Sequence, residues 1–251
     1  MNAFRRVLTA TLVISLITLG GCKASSKNDP TRYTDTASKM TEQDNVPFNK
    51  SWFTPDWNGP LRTSIVIAPV DTQLVKQSDW WKKAEEKNAE KLADVERDLR
   101  ELADFTRDEF RKAFQEDEKH RFTVLDSPQT GSILFQLAII DVDPNRAALG
   151  ALGLAATILA APLGVAILAK EGAKGGIAME GRMKDANTGQ VIALFADREK
   201  GKFAPINVAR ATTFGEVQKS IREWAEQWVK LANAVPGEGV KDTKPFTLRP
   251  W

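Results

Sequence analysis

The feature that most restricts how this chain can fold is a run of 23 residues without a charge, Ala147 to Ala169. A straight helix of this length would reach about 34 Å, enough to cross the roughly 30 Å hydrocarbon core of a bilayer. The nine alanines of the run and Pro162 disfavour a single span, and strand patterns lie on both sides of it. If those strands pair, the two ends of the run must lie close together. The sequence therefore predicts a bent helical hairpin, 147–161 followed by 163–169, inserted between two strands.

Small residues recur in this run at four-residue spacing, as at Ala147, Ala151 and Ala155, and such ridges let helices approach closely. Three interpretations are open: the hairpin covers the sheet as ordinary core, it joins two copies of the chain, or it dips into a membrane. We take its large apolar side chains as the candidate interaction surface. They are Leu149, Leu152, Leu154, Ile158, Leu159, Leu163, Val165 and Ile167.

The strand patterns beside the run predict a sheet. Ile133–Val142 places large apolar residues on one face, and Gly176–Lys184 alternates apolar with charged residues. Residues 185–190 contain the Asn and Gly of a hairpin turn and lead into a further strand, 191–196. Shorter strands are predicted at 122–125 and, buried on both faces, at Ser64–Val70.

Two helices are predicted from apolar stripes. The segment 84–118 is rich in charges and lacks Gly and Pro, which predicts one long amphipathic helix after a loop that holds Trp80 and Trp81. A second stripe, from Val217 to Val235, predicts another helix that ends before a Pro-Gly pair.

Trp224 and Trp228 lie on the second stripe, and we expect them to be core anchors rather than platforms that stack on a ligand. Thr213, with Glu216 three residues on, is the candidate N-cap of this helix.

An aromatic cluster between prolines, formed by Phe48, Trp52, Phe53 and Trp57, has two interpretations. It is an exposed partner site, or it packs across the domain as a first irregular segment, which we favour. The order of all these elements predicts an α+β fold, a mainly antiparallel sheet of about five strands covered on one face by two helices.

The order of these motifs resembles that of the uncharacterised Gram-negative lipoproteins of the family called domain of unknown function 3313. The matching pieces, which together cover roughly residues 60–235, are Ile67–Val70, Glu101–Phe105, Asp141–Pro144, the Ala/Gly/Leu run, Asp185–Val191 and Phe214–Trp228. The resemblance implies a location in the cell envelope and no established activity, so it assigns no catalytic residue.

The N-terminus has the pattern of an export signal, with Arg5 and Arg6 before an uncharged run, 7–21. The run ends in Leu-Gly-Gly followed by Cys22, which resembles the lipobox of bacterial lipoproteins. That resemblance implies cleavage before Cys22 and a membrane anchor through a lipid on this residue. An ordinary secretory signal with a chance cysteine and an uncleaved anchor are the alternatives. By analogy with the sorting rules of enteric lipoproteins, Lys23 rather than aspartate after the cysteine implies the outer membrane, facing the periplasm, over the inner membrane.

These patterns divide the chain into a signal peptide at 1–21, a flexible polar tether at 22–45 and a single α+β domain at 46–251. The signal holds two of the 35 Lys and Arg residues, so the remainder has 33 of them against 33 Asp and Glu. A chain without net charge gives no reason to expect nucleic acid as a partner.

The sequence contains little that could carry catalysis. It has one histidine, His120, which we expect on the surface, and one cysteine, so transition-metal sites and histidine-dependent triads are excluded. Asp141 and Asp143 form a carboxylate pair next to Pro144, and we favour the interpretation that they end a strand and form a turn. The alternative is that they bind a hard cation or act together in catalysis.

We therefore predict a non-enzymatic envelope lipoprotein, without a cofactor, that touches the membrane through the lipid on Cys22 and binds an unknown envelope protein or itself. The alternative is a carboxylate-dependent envelope hydrolase or carbohydrate-acting enzyme.

Overall fold

The structure is a computed structural model. It describes residues 33–34, 37–55, 62–143, 151–154, 176–200, 214, 217–234 and 239–241.

One mixed sheet organises the described residues. Its six strands are β1 (Lys50–Phe53), β2 (Ser64–Ile67), β3 (Thr123–Leu125), β4 (Ser132–Val142), β5 (Gly176–Asp185) and β6 (Val191–Lys200). They lie in the order β1-β6-β5-β4-β2-β3, with β2 parallel to both β3 and β4 and every other pair antiparallel. The prediction of a mainly antiparallel sheet of about five strands is therefore wrong in two respects. A helical connection returns the chain between β2 and β3, which makes this pair parallel, and β1 is an additional edge strand.

Three helices accompany the sheet in the described part of the chain, where two were predicted. They are α1 (Asp79–Lys87), α2 (Ala89–Gln115) and α3 (Gln218–Asn233), and two short 3₁₀ turns lie at Ala37–Lys39 and Val75–Gln77.

The predicted single helix over 84–118 is divided at Asn88. This residue leaves the helical conformation with φ −156° and ψ 73°, and its side chain accepts a 3.2 Å hydrogen bond from the backbone N–H of Lys91. An asparagine that caps a following helix in this way starts a new helix rather than continuing the old one. Trp80 and Trp81, predicted in a loop, lie in the first turn of α1, whose N-cap is Ser78.

The main core lies between the helices and one face of the sheet. The apolar stripe of α2 is buried, and Phe110 packs edge-on against Phe135 of β4 with ring centres 5.7 Å apart. Trp224 and Trp228 of α3 are 1% and 2% exposed, which confirms them as core residues. The predicted capping residues Thr213 and Glu216 lie outside the described residues, and α3 begins directly after Val217.

The aromatic cluster near the N-terminus packs into the domain, but it is not irregular as predicted. Lys50–Phe53 forms β1, which pairs with β6 at one edge of the sheet. Phe48 is 4% exposed and stacks on Trp228 with ring centres 5.0 Å apart. Trp57 lies outside the described residues.

The sheet face opposite the helices, here called the second face, is contacted by residues from the segment predicted as the tether. Tyr33 packs against Ala138 and Ala178, and Met40 packs against Leu194. Desolvation raises the pKa of Tyr33 to about 12, although the nearby Arg182 acts in the opposite direction. The contacts of the folded chain thus begin before residue 46, and the division into tether and domain stays a prediction.

The predicted pairing of the strands that flank the uncharged run is confirmed. β4 and β5 pair along their whole length, with one irregularity between Ile139 and Asp141, and Gly189 in the β5–β6 turn has the left-handed φ of +70° that the turn prediction required. Within the described residues, no helix is both long enough and apolar enough to span a membrane.

Candidate functional site

The uncharged insertion connects β4 to β5. Its root, which here means Asp143, the described residues 151–154 and Gly176, is where the candidate interaction residues join the fold. The backbone N–H of Asp143, after β4, donates a 2.9 Å hydrogen bond to the carbonyl of Gly176, the first residue of β5. The N–H of Gly176 in turn donates to Asp143 Oδ2 at 3.1 Å. Both ends of the segment 144–175 are therefore held side by side at one end of the sheet.

The first part of the insertion that the structure describes is anchored in the core. Leu152 and Leu154 are 0% and 2% exposed and belong to the main hydrophobic cluster. The side-chain amide of Asn88 donates a 3.4 Å hydrogen bond to the carbonyl of Ala151, which ties this part to the break between α1 and α2. Two of the eight candidate interaction residues are thus core residues rather than free surface.

The helix predicted over 147–161 does not run through this part. Ala151 is helical, but Leu152 and Gly153 form a turn, and Gly153 has a left-handed φ of +70°. A glycine in this conformation ends a helix, because other residues enter it only at a cost. The other six candidates, Leu149, Ile158, Leu159, Leu163, Val165 and Ile167, lie outside the described residues.

The carboxylate pair beside the root holds the strand ends in place. Asp141 accepts a 2.6 Å hydrogen bond from the guanidinium of Arg198, and Asp143 bonds the backbone of Gly176. Asp143 is exposed as a residue, but its carboxyl group is turned onto that backbone. Desolvation, and secondly the Asp141 carboxylate, raise the pKa of Asp143, while Arg198 and the Gly176 N–H act in the opposite direction. The two groups thus have structural partners, as the strand-ending interpretation expected.

A buried carboxylate that sequence reasoning missed is Asp197 on β6, which is 2% exposed. It accepts hydrogen bonds from the indole of Trp224 at 2.6 Å and from the backbone of Asn49 at 2.9 Å. The sequence predicted that the strand ends at residue 196, so Asp197 was expected to follow the strand and nothing in the pattern indicated that it is buried.

Asp185 begins the β5–β6 turn and pairs with Arg62. The backbone N–H of Thr188 is the main cause that holds the pKa of the Asp185 carboxyl below its usual range, and burial opposes it. The N–H of Asn187 and the Arg62 guanidinium add to the lowering.

Asp117 lies just after the C-terminal end of α2, next to the C-terminal end of α3. Desolvation alone would raise its pKa, but the backbone N–H groups of Arg121 and Lys119 and the side-chain amide of Asn233 donate to it and lower the pKa. These bonds tie the end of α2 to the end of α3.

A groove of about 770 Å³ lies beside Asp117, between the last turns of α2 and α3. Its walls mix acidic and basic side chains, among them Glu116, Glu226, Lys230 and Lys241. Neither Asp141 nor Asp143 lines it. His120 is exposed, as predicted, and the part of the chain that the structure describes contains no group of three His, Cys, Asp or Glu side chains that could hold a metal. Cys22 lies outside the described residues.

The fold and the site together define a mixed α+β domain in which four aspartates, Asp141, Asp143, Asp185 and Asp197, are tied into structural hydrogen bonds. The chain belongs to the family described as "Protein of unknown function (DUF3313)", whose model matches residues 32–228.

Among solved structures, the chain is similar to the PelC dodecamer from Paraburkholderia phytofirmans, with 8% identity over 70% of this chain and 95% of that one and a TM-score of 0.37. A variant of that dodecamer gives 8% identity over 70% of this chain and 96% of that one, with a TM-score of 0.33. Both are distant similarities. No curated protein matches the chain.

Proposed function

We propose that this protein is a lipoprotein of the outer membrane, facing the periplasm, that is anchored through Cys22 and acts by binding a partner or a second copy rather than by catalysis. The observation that carries the proposal is a lipobox-like sequence that is followed, eleven residues after its cysteine, by the first described contact of the fold. Tyr33, which already packs on the sheet, is the eleventh residue after Cys22. Such an arrangement holds a domain at a membrane surface.

The described carboxylates support binding over catalysis. Three of the described acids each bond a structural partner: Asp141 bonds Arg198, Asp143 bonds Gly176, and Asp197 bonds Trp224. A hydrolase of the carboxylate type needs two acids that face a shared open space. The acids named here instead join strands to one another and to α3.

The uncharged insertion is the proposed contact surface. Its two ends are fixed side by side, and Leu152 and Leu154 fasten its root in the core. The proposal therefore concerns the six remaining candidates, from Leu149 to Ile167. Burying about 400 Å² of apolar surface against a partner would give about 10 kcal/mol of gross gain before the costs of association.

Metabolic labelling with a palmitate analogue tests the anchor. The wild-type chain should be labelled and should fractionate with the outer membrane, whereas Cys22→Ala should lose the label and accumulate as uncleaved precursor. Unchanged labelling of Cys22→Ala would sink the proposal. A Lys23→Asp variant is the control for sorting, and we expect it to move to the inner membrane while keeping its label. Recovery of the labelled wild-type protein with the inner membrane would refute only the outer-membrane assignment.

In-cell crosslinking followed by mass spectrometry tests the contact surface. Replacing 155–169 with a short Gly/Ser linker, together with Leu149→Ser, removes all six candidates and leaves Leu152 and Leu154 unchanged. We expect this variant to fold, to stay anchored and to lose the crosslinks of the wild-type protein. Loss of folding would show that the insertion is ordinary core, and unchanged crosslinks would place the contact surface elsewhere.

A further inference from the structure

The chain enters the fold on the second face of the sheet, on the side opposite the helices. Tyr33 packs against Ala138, Ile140 and Ala178, and the chain then continues to Met40, which packs behind β6. The first described contacts after the anchor residue are therefore all on this face.

The length of chain between the anchor and this face limits how the domain can sit on a membrane. Tyr33 is the eleventh residue after Cys22, so the lipid attachment lies at most about 38 Å from it, even with the chain fully extended. A folded domain of about 200 residues is roughly 40 Å across. The chain would have to run around the whole domain to bring the helix layer against the bilayer.

The side chains of the second face suit the headgroup region of a bilayer. The ammonium group of Lys39, which is exposed, lies 4.9 Å from the ring centre of the half-buried Trp52. Tryptophan paired with a long cationic side chain is typical of the boundary between lipid and water, where the ring meets the headgroups and the cation meets phosphate.

Strand alternation adds further cations to this face. Lys50 shares it with Trp52 on β1, and Arg182 and Lys184 share it with Ala178 on β5. Glu180 also lies on this face, but it is fully buried. Asp141 lies on this face as well and is paired with Arg198. The cations named for this face outnumber these two acids, which complements lipid phosphate.

We propose that the second face, around Lys39 and Trp52, lies against the phospholipid headgroups of the membrane in which the protein is anchored, and that the helix layer faces away from it. This orientation rests on the proposed lipid anchor. It leaves α1, α2 and α3 free toward the periplasm.

Fluorescence quenching by lipids with a spin-labelled headgroup tests the orientation. Because the single native cysteine is the proposed acylation site, one introduced cysteine carries the fluorophore alone. Ser38→Cys places it beside Lys39, and Ala93→Cys, on the exposed side of α2, is the matched control. In vesicles that hold the mature acylated protein, from Cys22 onward, we expect strong quenching at position 38 and little at position 93. Equal quenching at both positions, or stronger quenching at 93, would overturn the proposal.

A second anchor separates this proposal from the proposed function. The chain from residue 23 onward, with a hexahistidine sequence in place of Cys22 and its acyl groups, is bound to vesicles that contain nickel-chelating lipids. The tether then starts at the same residue whether or not the native chain is acylated. Quenching that is strong at position 38 and weak at position 93 supports the orientation even if palmitate labelling fails. Quenching that is stronger at position 93 than at position 38 contradicts the orientation even if labelling succeeds.

Discussion

The indole N–H of Trp224 donates a 2.6 Å hydrogen bond to Oδ2 of Asp197, and both residues are almost completely buried. The other oxygen of the carboxylate accepts a 2.9 Å bond from the backbone of Asn49, just before β1. One buried carboxylate thus joins α3, β6 and the N-terminal edge of the sheet. A buried acid is costly unless its hydrogen bonds are made, so this junction should be sensitive to the loss of a single donor.

We predict that Trp224→Phe lowers the free energy of unfolding by about 1.5–3 kcal/mol beyond the loss of ring area, because it removes a donor to a charged group. Trp228→Phe is the matched control. Trp228 is equally buried on the same helix, but its indole nitrogen has no hydrogen-bond partner among the described residues. Urea unfolding checks the difference, and equal losses for both variants would show that the bond to Asp197 contributes nothing.

Gly181 on β5 should not tolerate a side chain. A methyl group there would overlap the ring of Phe195 on β6, which is itself fully buried. We expect Gly181→Ala to lower stability by about 1–3 kcal/mol, and the double variant with Phe195→Leu to recover part of the loss. Thermal unfolding of wild type, the two single variants and the double variant measures this coupling. A Gly181→Ala variant as stable as wild type would contradict the close packing.

The root of the insertion should behave as core. We predict that Leu152→Ala or Leu154→Ala costs about 2–5 kcal/mol, because each leaves a cavity in the main hydrophobic cluster. Ala151→Ser, at the exposed neighbouring position, should stay within about 0.5 kcal/mol of wild type. Chemical denaturation checks this contrast, and a neutral Leu152→Ala would show that the root is not anchored.

Stability should depend on pH through Asp185. Its carboxyl has a lowered pKa in the folded protein, so the stabilisation is present at neutral pH and is lost as the pH falls through that pKa. We expect Asp185→Asn to cost about 1.5–3 kcal/mol at pH 7 and progressively less in acid. Asp126→Asn is the control, because the Asp126 carboxylate also pairs with an arginine, Arg111, at 2.7 Å but is 93% exposed. This variant should change the free energy of unfolding little at any pH. A constant cost of Asp185→Asn between pH 7 and pH 2 would refute the linkage.

Elements with strong periodicity could be predicted from the sequence. Ile133–Val142, the hairpin at 176–196 and the stripe of α3 each repeat an apolar pattern over several turns or strand pairs, and all three have the predicted type. β1 could not be recognised, because four residues between prolines carry too little pattern, and its strand geometry depends on pairing with β6. The parallel pairing of β2 likewise depends on neighbours that are distant in the sequence.

The candidate site shows the same division between local and distant causes. The lipobox-like pattern before Cys22 is local, so the sequence alone shows it. Leu152 and Leu154 are buried in a core whose other members are distant in the sequence, and the neighbouring Ala151 accepts a hydrogen bond from Asn88. Composition predicted an apolar surface for the whole insertion and could not distinguish its root from the rest.

Mass spectrometry of the N-terminal peptide, prepared from protein purified out of the outer-membrane fraction, tests the central claim most directly. The account predicts that the mature chain starts at Cys22, with a diacylglyceryl group on its sulfur and an acyl group on its amine. A mature N-terminus at any other residue, or an unmodified Cys22, would contradict it.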